Sequence, residues 1–156
     1  MNIDRTISFR QDMIDLILAG KKTVTIRPIK QQLEVFFHQD TKLYTWQGYH
    51  ELRRKQWIEE QCPYAKTFKI IPIKDHDGLL LDITDVWFER LENLTDQVWG
   101  ADGLSDLSEL SQLRHWNSFY GGTEYDWLKN PWVWIIEFEL VRKGQNDENE
   151  RLFEEA

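Results

Sequence analysis

Two long alternating stretches, "LLLDITDVWFERL" at residues 79–91 and "NPWVWIIEFELVR" at residues 130–142, constrain this chain more than anything else in it. Side chains on a strand point alternately to opposite faces, so parity sorts them. In the second stretch Trp132, Trp134, Ile136, Phe138 and Leu140 share one face, and Val133, Ile135, Glu137 and Glu139 the other. In the first, Ile83, Asp85, Trp87 and Glu89 oppose Asp82, Thr84, Val86 and Phe88. The apolar side changes midway, which predicts a β-bulge or a bend.

The flanking sequence fills in the order. Residues 5–10 alternate as a first strand. Met13, Leu16, Ile17 and Gly20 then follow helical spacing, with Gly20 as the stop. "KTVTIRP" is a second strand ended by Pro28. Residues 29–64 read as an insertion carrying one helix at 51–61. Residues 66–73 form a strand, followed by a turn at Asp77-Gly78. Thr95 caps a helix, and residues 105–122 form the clearest helix, stopped by Gly121-Gly122. Strand–helix–strand, then three strands interrupted by a helical block, has too few crossovers for a doubly wound sheet. The order predicts an α+β domain over residues 1–142, built on a small, strongly curved sheet or barrel. Residues 143–156 carry Asp147, Glu148, Glu150, Glu154 and Glu155 against Lys143 and Arg151, and read as a frayed acidic tail.

Charge limits the partners. The net charge is −8, which disfavours non-specific binding to a phosphate backbone. Residues 1–30 depart from this balance: Arg5, Arg10, Lys21, Lys22, Arg27 and Lys30 outnumber Asp4, Asp12 and Asp15. A local basic site on an acidic body is the consistent picture. The eight tryptophans imply a heavily aromatic core or exposed stacking surfaces, with core and rim packing the better account for most. One cysteine, Cys62, excludes an internal disulfide and fits a reducing cytoplasm. No apolar run is long enough to span a membrane. There is no phosphate loop or dinucleotide fingerprint. His38, His50, His76 and His115 lack metal-ligand spacing, so no metal or other cofactor is expected. His115, beside Trp116, reads as a surface or core-edge residue.

"GKKTVTIRP", residues 20–28, is the remaining candidate. A threonine hydroxyl becomes a useful nucleophile only beside a base, and a desolvated lysine can serve. Lys22 and Thr25 would form such a pair, with Arg27 holding a carbonyl or phosphate. From spacing alone a solvated strand face is the commoner explanation. Thr23, Thr25 and Arg27 share one strand face while Lys22 falls on the other. Lys22 can reach Thr25 only if it lies in the turn before the strand.

The stretch "ISFRQDMIDLILAGKKTVTIRP" resembles the opening signature of ASCH domains, relatives of the PUA RNA-binding fold. "CPY", "ITDVWFERLENLTD", "WNSFYG" and "NPWVWIIEFEL" resemble, in the same order, pieces of ASCH proteins often carried by phages and prophages. The resemblance implies a PUA-like β-barrel with flanking helices and a cleft beside residues 20–28 suited to RNA or a modified nucleoside. Some family members are amidohydrolases that remove acetyl from N4-acetylcytidine, others look like ribonucleases, and many are presumed only to bind RNA. For the amidohydrolases the resemblance implies a catalytic set at Lys22, Thr25 and Asp102, with Arg27, Thr23 and Lys21 as substrate-binding candidates. Two departures stand out. Asp102 occupies the place of a glutamate, and "FKIIPIKD" replaces a G-D-x-L-W-V-R-E stretch of phage-type relatives. The alternative expectation is a non-catalytic RNA-binding or phage accessory module, in which Trp99, Trp116, Trp127 and Trp132 offer stacking surface.

Overall fold

The computed structural model describes residues 6–46, 49–65 and 70–142. The expected acidic tail at 143–156, and the first half of the strand expected at 66–73, lie outside the described residues. The chain runs α1 (Gln11–Leu18), β1 (Val24–Pro28), β2 (Val35–His38), β3 (Leu43–Trp46), β4 (Tyr49–His50), α2 (Arg54–Gln61), β5 (Ile70–Pro72), β6 (Leu79–Arg90), α3 (Asp96–Ala101), α4 (Glu109–Tyr120) and β7 (Trp132–Arg142). Short 3-10 turns precede α2, follow β6 and precede β7.

Four strands form one antiparallel sheet in the order β1-β7-β6-β5. The expected change of face in β6 is a bulge. Ile83 pairs with Phe138 and Asp85 with Glu137, which leaves Thr84 as the extra residue. Its hydroxyl donates to the Glu137 carboxylate at 2.9 Å. The bulge keeps the apolar residues on one side: Leu79, Leu81 and Ile83 before it and Val86 and Phe88 after it all join one core. Without it, the last two would turn away from that core.

The sheet separates two cores. Trp134, Ile136 and Phe138 of β7 pack into the first, with Trp46, Trp57 and Phe88. Val133 and Ile135 pack into the second, with Val24 and Ile26 of β1, Trp99 of α3 and Trp116 of α4. Of the eight tryptophans, Trp46, Trp57, Trp99, Trp116 and Trp134 are buried and Trp87, Trp127 and Trp132 half-buried. The aromatic load is core and rim packing. Trp99, offered above as a stacking surface, is only 1% exposed.

The expected first strand shrinks to one parallel bridge between Ile7 and Ile73. Ile7 N donates to the Pro72 carbonyl at 3.0 Å, and Lys74 N to the Ile7 carbonyl at 2.9 Å. This segment extends the sheet past β5 and curls it toward β1. Among the described residues the ladder does not close into a barrel. The seam between β1 and residue 8 is crossed by a side chain, with Arg27 Nη2 donating to the Ser8 carbonyl at 2.8 Å.

Residues 29–64 hold more than the single helix expected. β2, β3 and β4 form a separate antiparallel sheet ahead of α2. Its strands are only four, four and two residues long, too short for alternation to stand out. The clearest helix also begins later than expected. Ser108 is its N-cap, accepting from Ser111 N at 3.2 Å, so α4 starts at Glu109. Thr95 caps α3 as expected, accepting from Val98 N.

Candidate functional site

Lys22, Thr25 and Asp102 are the buried polar or charged residues among those described, at 3%, 3% and 4% exposure. Burying a charge is costly unless it is paired and hydrogen-bonded. The local sequence explains how this trio is held. α1 ends at Leu18, and Gly20 turns the chain at φ +74°. Lys21 N and Lys22 N both donate back to the Leu16 carbonyl, at 2.9 and 3.2 Å. β1 begins only at Val24, so Lys22 lies before the strand and escapes its alternation. This is the condition the spacing argument set for Lys22 and Thr25 to share one site.

Asp102 arrives from the other side, as the C-cap of α3. Thr23 N donates to the Ala101 carbonyl at 2.8 Å, which ties the end of α3 to the start of β1. Gly103 follows at φ +102°, and a Cβ there would lie 2.8 Å from Leu16 Cδ1. Glycine therefore lets the α3 turn press against α1 and bring the short Asp102 side chain into reach. The missing methylene relative to glutamate does not prevent the contact.

Lys22 Nζ is surrounded by oxygen. It donates to the Val24 carbonyl at 2.9 Å, to the Asp102 carbonyl at 3.2 Å, and to Asp102 Oδ1. Burial lowers the Lys22 pKa from its ordinary value, the Asp102 carboxylate works against that, and Arg27 adds to the lowering. The second Asp102 oxygen, Oδ2, lies 3.0 Å from His115 Nε2.

Thr25 and Arg27 face the same side of the sheet as their β7 partners, Ile136 and Trp134. They are a polar interruption in an otherwise apolar interior. Thr25 Oγ1 accepts from Arg27 Nε at 3.0 Å, so its partner is Arg27 rather than Lys22. Arg27 in turn lies over the Phe9 ring, 4.9 Å from its centre.

These side chains open on one cavity of about 370 Å³. Its wall includes Lys22, Thr25, Arg27, Asp102 and His115, with Phe9, Trp116, Phe119 and Tyr120 as aromatic surface. Arg10 lines the rim, its guanidinium 3.7 Å from the centre of the Phe119 ring. Three cations and one carboxylate therefore surround the space, a local positive balance on an acidic chain. Burial raises the Tyr120 phenol above its ordinary value, so it presents a neutral hydroxyl.

The expected set is thus partly assembled. Lys22, Thr25, Asp102 and Arg27 meet at the cavity. Lys21 and Thr23 are exposed and do not line it. Thr23 serves through its backbone, its carbonyl accepting from Phe138 N at 3.0 Å. Of the four tryptophans offered for stacking, Trp116 lines the cavity, while Trp99, Trp127 and Trp132 do not. Sequence reasoning missed His115, which is a cavity residue on Asp102 rather than a plain core-edge histidine. A signal was present: His115 and Phe119, like Trp116 and Tyr120, are four residues apart and so share one face of α4. Among the described residues no three His, Cys, Asp or Glu side chains converge as a metal site. Nor is any of their helices long and apolar enough to cross a membrane.

No protein-family model and no curated protein matches the chain. Two solved structures do. One is an ASCH domain from Lactobacillus crispatus JV V101, with 16% identity, a TM-score of 0.50, and coverage of 88% of this chain and 80% of the other. The second is protein EF3133 of Enterococcus faecalis V583, described as DUF984, with 16% identity, a TM-score of 0.51 and the same coverage. At this identity the likeness establishes the fold, which is that of an ASCH domain: mixed α+β, with an antiparallel, strongly curved sheet and helices against it.

Proposed function

We propose that this chain is an ASCH-domain protein whose cavity beside residues 20–28 takes a nucleobase or nucleoside, free or within RNA. We propose further that it hydrolyses an N4-acylcytidine-type amide there. The observation that carries the reading is the identity of the buried polar trio. The ASCH resemblance singles out Lys22, Thr25 and Asp102, and these are the polar side chains the fold buries against one cavity. The volume falls within the roughly 300–1,000 Å³ usual for small-molecule sites. Aromatic walls suit a base, and Arg27 and Arg10 suit a carbonyl or phosphate. In this reading Thr25 is the nucleophile, and the Lys22–Asp102 pair sets the charge around it. The phage-type resemblance and the lone, buried Cys62 accord with a cytoplasmic setting.

A second reading, binding without turnover, draws on Thr25 being bonded to Arg27 and not to Lys22. Calorimetric titration with cytidine and N4-acetylcytidine, with chromatography for released cytidine, separates the two. Binding with turnover that Thr25→Ala abolishes is the expected result. Binding without turnover leaves the non-catalytic reading, and no binding of either compound removes both.

A further inference from the structure

We propose that His115 is the proton-exchanging residue of this site, and that Asp102 acts as its positioning carboxylate. The inference deepens the amidohydrolase reading and rests on it for its chemistry. Lys22 can offer three ammonium protons, and three oxygens surround its Nζ: the Val24 carbonyl, the Asp102 carbonyl and Asp102 Oδ1. Those three contacts engage the whole ammonium and Thr25 is bonded to Arg27 instead, so Lys22 is not placed as a base for Thr25.

Asp102 is equally committed. Oδ1 accepts from Lys22 and Oδ2 faces His115 Nε2, with the carboxyl side chain only 6% exposed. A carboxylate held by an ammonium on one oxygen accepts a hydrogen bond from the imidazole N–H on the other. That fixes the Nε2–H form of the ring and leaves Nδ1 as the acceptor. Among the described residues Nδ1 has no hydrogen-bond partner. His115 lines the cavity, and its side chain is 15% exposed against 3% for Lys22, so it can exchange protons with solvent or ligand. The Phe119 ring packs edge-on against it at 5.5 Å and limits its rotation. The other charged or titratable groups on the cavity wall are Asp102, Lys22, Tyr120, Arg10 and Arg27, and Arg114 precedes the imidazole on the same helix.

The bond from Thr25 Oγ to the acyl carbon forms as the hydroxyl proton passes to Nδ1. That proton moves to the leaving amine as the carbon–nitrogen bond breaks. Water then attacks the acyl ester, giving a proton to Nδ1, which returns it to Thr25 Oγ as the carboxylic acid leaves. Thr25 and His115 line the same cavity, and an Asp-oriented imidazole serving a hydroxyl is a recurrent solution for such chemistry.

The test uses the full chain with 15N-labelled histidine, assigning His115 by its loss in His115→Gln. The expected spectrum is that of the Nε2–H tautomer, the one the Asp102 contact selects. An Nδ1–H form overturns the proposal. The glutamine amide can keep the bond to Asp102 but cannot take up and pass on a proton. With N4-acetylcytidine, His115→Gln should therefore lower kcat by about 100-fold or more and change KM little. Wild-type rates in that variant overturn the proposal. If the wild-type protein turns nothing over, the amidohydrolase reading fails, and the tautomer alone decides the role of the ring.

Discussion

The cavity carries an ion pair at its floor and another at its rim, and they differ in almost every physical respect. Lys22 and Asp102 at the floor are 3% and 6% exposed at their side chains, 80 residues apart in sequence, and enclosed by backbone oxygens. Arg10 and Asp12 at the rim are 42% and 59% exposed, two residues apart, and joined at 3.0 Å. The rim pair forms wherever the chain places the two residues as neighbours. The floor pair exists only when α3, β1 and α1 have all docked. A partnered buried charge therefore reports the tertiary structure, whereas an exposed pair reports little more than sequence proximity.

The largest effect should come from breaking the floor. Asp102→Ala leaves an ammonium buried without its carboxylate, a loss of about 3–5 kcal/mol in urea unfolding at neutral pH. Lys22→Met combined with Asp102→Leu should recover most of that loss, because two apolar groups need no partner. A loss under about 1 kcal/mol for Asp102→Ala would mean that water or rearrangement compensates, and the contrast with the rim would collapse.

A middle effect concerns alkaline pH. Burial holds the folded-state pKa of Lys22 below its ordinary 10.5. Between the two values the unfolded chain binds the extra proton, so this group adds stability as pH rises through that window. Tyr120 has the opposite sign. Burial lifts its phenol above 10.0, so the unfolded chain loses that proton first and stability falls as pH climbs. Melting temperatures from about pH 8 to about pH 11 should fall more steeply in Lys22→Met than in wild type, and less steeply in Tyr120→Phe. Parallel curves for all three proteins would mean that neither group titrates differently in the fold.

The smallest effect belongs to the rim. A double-mutant cycle on Arg10→Ala and Asp12→Ala should give a coupling below about 1 kcal/mol, shrinking further in salt. Arg10→Ala should nevertheless weaken ligand binding, since its guanidinium also lines the cavity. A coupling as large as that at the floor would erase the distinction between them.

The sequence by itself determined the strand-rich α+β order, the bulge near residue 84, the stops at Gly20 and Gly121, and the cap at Thr95. Each depends on local periodicity or on a residue whose backbone preference acts within a turn. Combined with the ASCH resemblance, it also named Lys22, Thr25, Arg27 and Asp102, and it stated that Lys22 must lie before the strand. Only the tertiary structure decided that Lys21 and Thr23 stay outside the cavity, and that residues 35–50 form a second sheet. It also decided that a side chain, not a ladder, crosses the seam beside β1. His115 shows the physical reason. Its role depends on a carboxylate from a different helix, and on how far Gly103 allows α3 to approach α1. Periodicity along one segment can place a residue on a face, but only packing between segments decides what that face meets.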